Sequence, residues 1–300
     1  MLAPQNDKLL RSWPEDLPRR AQLDDVPFYP QEDYQCGPAS LASALVHAGV
    51  RVTPRELVRD VYIPERKGSV QAEMLGAARR HGTVSYVLES SYHDLLSEVA
   101  SGTPAIVLLD FGMWPLHRWH YAVAAGYDAG AGEVTLRSGT TRAFKMPFEI
   151  FEYFWKRSGY WAMVAGPPER VPATAQRARY LDAIIALERA GQSRPATRAY
   201  SAFLARWPDD VAAHVGLANA YYALGELDLT ERSLRAALSL DPHSEIALNN
   251  LAQTLSDSDR SDEALRVIDQ AAALKGAHGD AIAQTRAAIM RKRALPRRTR

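Results

Sequence analysis

A spacing of 34 residues recurs through the second half of this chain. Gly191 and Gly225 are 34 apart, and so are Pro208 and Pro242. One period further on, Asp259 stands at the glycine position and Gly276 at the proline position. A unit this short cannot bury an apolar face alone, and stacking on its neighbours supplies the missing partner. Small and large apolar residues recur in the same register. The middle unit has Leu217, Ala218, Tyr221, Leu234 and Ala237, and the next has Leu251, Ala252, Leu255, Ala264, Ile268 and Ala271. The first, about 177–210, is looser, with Leu187, Ala196 and Tyr200. A last helix from Asp280 to Leu295 is expected to cap the stack.

A turn glycine near the middle and a proline at the end of a 34-residue unit is the tetratricopeptide signature. Residues 177–295 are therefore expected to form an all-α tetratricopeptide domain, followed by a basic tail at 296–300. Such a module presents a concave surface to a protein or peptide and brings no chemistry of its own. The reaction, if there is one, belongs to the first half.

The two halves are separated by Gly166-Pro-Pro-Glu-Arg-Val-Pro-Ala-Thr-Ala175. Its three prolines block both a helix and a central strand, so 166–176 reads as a linker. Formal net charge is +1, so no global field steers the chain toward nucleic acid or acidic lipid. A single cysteine allows no internal disulfide. No apolar run has the length of a membrane span, and the first residues lack the apolar core of a signal peptide. A cytoplasmic protein and one exported by a segment upstream are both compatible with this.

Before the linker the elements are mixed. Helices are expected from Cys36 to about Gly49, from Thr53-Pro54 onward, over 69–80, 92–100 and 148–156. Strands are expected near 83–88, 104–109, 121–127, 134–136 and 159–165. Thr53 suits an N-cap and Pro54 the first helical position. Helices first and strands after predict an α+β domain over 26–165, preceded by an N-terminal extension, 1–25.

Cys36, the lone cysteine, opens the first of these helices in Gln35-Cys36-Gly37-Pro38-Ala39. Free amides and the positive end of the helix dipole gather there, and both favour a thiolate. A thiolate attacks carbonyls, so a histidine base is required. His214, His243 and His278 lie in the repeats. His81 and His93 lie near element ends, and His47 is about three turns along the Cys36 helix. His117 and His120 remain, in Trp114-Pro-Leu-His-Arg-Trp-His-Tyr-Ala-Val. His120 opens a strand, where a side chain is held more firmly than in the loop carrying His117, and it is the expected base. Trp114, Trp119 and Tyr121 surround it, either as core or as candidates to line a substrate cleft. The i, i+3 spacing of His117 and His120 comes with no acidic cluster or cysteine pair, so no metal is expected. No glycine loop that would cradle a phosphate is present, and no cofactor is expected.

Gln31, then Cys36-Gly-Pro-Ala, then His120-Tyr-Ala-Val and Gly126-Tyr-Asp128, resembles the papain-like peptidases of the bacteriocin-processing (double-glycine leader) family. The resemblance covers about Val26 to Ala165. With the tetratricopeptide region, it is similar to a stand-alone bacterial subgroup that lacks a fused transporter. It implies a papain-like cysteine peptidase domain in which Cys36 is the nucleophile and His120 the general base. Gln31 and the Cys36 amide would be the oxyanion donors, with Gln35 the rival for the side-chain donor. It also implies small residues before the cleaved bond and a place in the bacterial cell envelope. The family's orienting aspartate falls at Ser138. A serine can fix the imidazole tautomer but brings no full charge, so the site is expected to be slower. The alternative is a peptidase fold retained as a peptide-binding scaffold. In either case a peptide or protein is the expected partner, recruited through the repeats.

Overall fold

The computed structural model describes residues 3–30, 35–66, 68–113 and 115–294. The chain divides into two compact units, Met1–Gly191 and Gln192–Arg300.

The first unit opens with α1 (Pro4–Arg11) and β1 (Arg20–Gln22). Three helices follow: α2 (Cys36–His47), α3 (Pro54–Val61) and α4 (Gln71–Arg80). Then come β2 (Val84–Val87), α5 (Tyr92–Ala100), β3 (Ala105–Asp110), β4 (Trp119–Asp128), β5 (Glu133–Ser138) and β6 (Thr141–Pro147). The unit ends with α6 (Phe148–Lys156), β7 (Ala162–Gly166) and α7 (Arg177–Arg189). The strands form one sheet in the order β2-β7-β3-β4-β5-β6, with β1 also paired to β4. The α+β expectation holds.

Helix α2 is the axis of this unit. Residues Gly37 to Leu45 are all buried, as expected of a helix apolar on every side. Leu41, Ala42 and Leu45 pack with Tyr121, Val123 and Ala125 of β4 and Ile106 and Leu108 of β3. This packing sets the start of α2 against the start of β4. Helix α3 begins as its sequence predicts. The Thr53 hydroxyl accepts from the Glu56 amide, and the Glu56 carboxylate accepts from the Thr53 amide.

Three elements escaped the sequence. Helix α1 owes its start to a distant group: the buried carboxylate of Glu152 accepts from the amides of Gln5 (2.9 Å) and Asn6 (2.6 Å). Strand β1 is only three residues long, and its place comes from pairing with β4. Strand β6 is exposed at every position but Met146, so it shows no apolar alternation.

The second unit consists of α8 (Ser193–Arg206), α9 (Val211–Ala223), α10 (Leu227–Leu240), α11 (Glu245–Asp257), α12 (Ser261–Ala273) and α13 (Gly279–Ala294). These are stacked tetratricopeptide-type helix pairs. Ala218, Leu234, Ala237, Leu251, Ala252, Leu255, Ala264, Ile268 and Ala271 are buried together, closed by Ile282 and Ile289 of α13. Tyr221 alone of the middle-unit residues named above is only half-buried. Gly191, Gly225 and Asp259, spaced one period apart, all turn in the left-handed region, at φ +77°, +76° and +60°. That conformation explains the recurring glycine. The basic tail, 296–300, lies outside the described residues.

Candidate active site

Cys36 is the first residue of α2, where no earlier turn can satisfy the backbone amides. Pro38 has no amide, so Cys36 and Gly37 are the donors of this first turn. Gly37 also permits a close approach: a Cβ there would stand 2.2 Å from Ser69 Oγ and 2.6 Å from Ser69 Cβ. The loop before α4 is thereby pressed against the helix start beside the thiol.

Cys36 is partly exposed. Burial raises the thiol above its ordinary pKa, while the amides of Tyr121, Gly37 and Cys36 itself pull it back part of the way. The thiolate expected from the helix start is therefore not the favoured resting form, because desolvation outweighs the helix terminus. The Tyr121 amide locates the sulfur at the start of β4, one residue beyond His120.

His120 is half-buried. Its Nε2 lies 2.8 Å from Ser138 Oγ, at the end of β5, and its ring lies 5.5 Å from that of Phe111. Burial, with the positive charge of Arg118, lowers its pKa to about 4. Thiol and imidazole are thus both pushed toward neutral forms. Among the described contacts they are not hydrogen-bond partners. In unliganded sites such pairs are often long and tighten with substrate.

His117 is placed differently. Its Nδ1 lies 2.6 Å from the buried Asp110 carboxylate, and its ring stacks on Trp119 at 5.0 Å. Asp110 also accepts from the Gly112 and Arg118 amides and from the Arg157 guanidinium. Burial opposes these bonds, but they hold its pKa well below the usual carboxylate range. The pair braces the β3–β4 hairpin. The other first-unit histidines are engaged elsewhere: His47 with the Gly102 carbonyl, His81 with Asp60, His93 with Asp16. Asp128 takes the amides of Gly130 and Ala131. It sits eight residues along β4 from His120, roughly 26 Å at strand rise.

Of the residues named from sequence, Cys36, His120 and Ser138 converge at the adjoining starts of α2 and β4 and the end of β5. Gln31 and Trp114 lie outside the described residues. Trp119 is exposed beside His117. Tyr121 is a correction: its side chain is 2% exposed, packed in the core. Its phenol donates to the Ser69 carbonyl at 3.4 Å. It also gives the site a backbone amide, which no sequence pattern distinguishes. Asp110 and Arg157 were also missed. The signal for Asp110 was a carboxylate closing a fully apolar strand just before Phe-Gly.

No curated protein matches the chain. Among solved structures, a C39-like peptidase from Bacillus anthracis is similar at 19% identity and a TM-score of 0.42, over 49% of this chain and 98% of that one. The Yersinia enterocolitica secretion chaperone SycD, solved with a peptide of the translocator YopD, is similar at 17% identity and a TM-score of 0.36, over 39% and 93%. The TPR2B domain of yeast Sti1 is similar at 18% and 0.38, over 39% and 99%. The profile of the Peptidase_C39 like family matches residues 23–163, from just after β1 to the start of β7. Residues 23–163 of this chain match the Peptidase_C39 like family, and a tetratricopeptide-type repeat region follows them.

Proposed function

We propose that this protein is a cysteine endopeptidase with Cys36 as nucleophile and His120 as its base, and that the repeats recruit its substrate or a partner. The observation that carries the reading is the His120–Ser138 hydrogen bond of 2.8 Å. It occupies Nε2 and leaves Nδ1 as the nitrogen available to the thiol.

In the first step Nδ1 takes the thiol proton as sulfur attacks the scissile carbonyl. The carbonyl electrons move to oxygen, where the Cys36 and Gly37 amides, with Gln31 as the expected side-chain donor, would hold the charge. The C–N bond then breaks, and the imidazolium returns its proton to the leaving amine. Water, deprotonated by the same nitrogen, hydrolyses the thioester and frees the thiol. Because both groups rest neutral, proton transfer accompanies attack and no preformed ion pair is needed.

The second reading, a peptide-binding scaffold, draws on the serine at position 138. The two are separated by internally quenched peptides with a Gly-Gly centre. Parent, Cys36→Ala, His120→Ala and Ser138→Asp are compared by fluorescence and by mass of the products. Cleavage by the parent, lost in the first two variants, is the expected result. Absence of cleavage in all four would sink the peptidase reading. Cleavage by Ser138→Asp alone would mark a scaffold with an intact but underpowered site.

A further inference from the structure

The residue before Ser138 is Arg137, which is buried at 3% exposure. A guanidinium taken out of water costs stability unless it is paired and hydrogen-bonded. Its partners among the described residues are three backbone carbonyls. Nε donates to Val26 at 3.2 Å, one terminal nitrogen to Leu23 at 2.9 Å and the other to Arg142 at 2.7 Å. Burial lowers its pKa, with Arg142 adding to that, while Asp24 and Asp25 of the clasped segment oppose the fall. An apolar residue would fill the same space at less cost, so the cation is there for what its planar fork holds together.

Three pieces of the first unit meet on that fork. Leu23 is tied to the strand that carries the base, because its amide donates to the Ala125 carbonyl of β4 at 2.7 Å. Val26 is fully buried in the core that α2 shares with β4. Arg142 belongs to β6, where the ladder slips. Leu136 pairs with Phe144 but Ser138 pairs with Thr141, so Arg142 and Ala143 stand opposite Arg137 alone. Such a bulge re-aims the side chains beside it. Successive strand residues point to opposite faces. Arg137 thus reaches back into the core while Ser138, next to it, meets the His120 ring at 2.8 Å. Strand β6 cannot hold this geometry by packing, since Met146 alone of its residues is buried. The guanidinium holds it instead, by crossing from the bulge to a fixed frame.

We infer that Arg137 is a positioning residue for the reaction: its fork locks the β5–β6 bulge onto residues 23–26 and so aims Ser138 at Nε2 of His120. The inference rests on the peptidase reading for its effect on rate.

The test compares the full chain as parent, Arg137→Lys, Ser138→Ala and the double variant. Arg137→Lys keeps the charge and loses the fork. Each single change is expected to lower kcat/KM on the quenched Gly-Gly peptide by about 2- to 10-fold, and the double variant by no more than the worse of the two. Heteronuclear NMR spectra of the histidine rings near neutral pH supply a readout that needs no cleavage. His120, identified by its loss in His120→Gln, is expected to carry its proton on Nε2 in the parent and to divide it between the two nitrogens in both single variants. Losses that multiply in the double variant, or a His120 signal that ignores Arg137→Lys, overturn the inference. Arg137→Gln takes the place of Arg137→Lys should the latter not fold. Failure of both to fold also overturns the inference, since Arg137 then serves the core and not the serine. If the His120 signal follows Arg137 but the parent cleaves nothing, the positioning stands and the peptidase reading falls. Cleavage by a parent whose His120 signal ignores Arg137 gives the reverse.

Discussion

Ser138 offers His120 one neutral hydrogen bond where a carboxylate would offer a charge as well. With no counter-charge, burial controls the ring, and its pKa falls to about 4. The base form is then present from about pH 4 upward, so the acid limb of kcat/KM is expected near pH 4. Ser138→Asp supplies an opposite charge at hydrogen-bond distance and should move that limb up by about 1–3 units. Ser138→Ala removes a bond worth about 0.5–1.5 kcal/mol and should lower kcat/KM by roughly 2- to 10-fold. A pH–rate profile of the three proteins checks both; an unmoved limb in Ser138→Asp would deny residue 138 its orienting role. At this scale the side chains that meet at the starts of α2 and β4 could be named from the sequence, because Cys-Gly-Pro at a helix start and a histidine opening a strand have specific chemistry. Their protonation was not. The helix terminus is visible in the sequence, while the desolvation that outweighs it depends on how β4 closes over the thiol.

Gly225 and Asp259 occupy equivalent turns in successive helix pairs, and both are left-handed. A Cβ on Gly225 would meet nothing within 4 Å, so Gly225→Ala tests the backbone alone. It should destabilise by about 1–2 kcal/mol, the cost of a side chain in that region. Asp259→Gly relieves the same strain and should stabilise by up to about 1 kcal/mol, less whatever the exposed Lys292 contact contributes. Urea midpoints of the two variants, moving in opposite directions, are the measurement. The elements read correctly from sequence are those whose cause is local: the α3 N-cap, the α6 span, the 34-residue register. Helix α1 was illegible because its cap, Glu152, lies 146 residues away from Asn6. Strand β6 was illegible because an edge strand facing water on both sides carries no period.

Across the first unit as a whole, Glu98 ties the proline-rich segment to the domain. Its carboxylate is fully buried and accepts from the amide and hydroxyl of Thr174 at 2.8 and 2.7 Å. Residues 173–176 are therefore anchored on α5, and the sequence, which showed only prolines, hid this. Burial raises the Glu98 pKa despite those bonds. An acid whose folded pKa exceeds its unfolded value carries no penalty below the unfolded value, about 4.3. The penalty then grows as pH rises through the folded pKa. Glu98→Gln keeps the shape without the charge. Its melting temperature should match the parent near pH 4 and exceed it at pH 7.5, by about 2–4 °C for each kcal/mol relieved. A difference that is constant with pH would mean that the charge is not what the burial opposes. Trp155 is fully buried, whereas Trp119 is half in water with an imidazole stacked on its face. The two indoles should emit at opposite ends of the tryptophan band. Acrylamide should therefore reach the indole of Trp119 and spare that of Trp155, so the red edge of the emission should be lost first as the quencher is added.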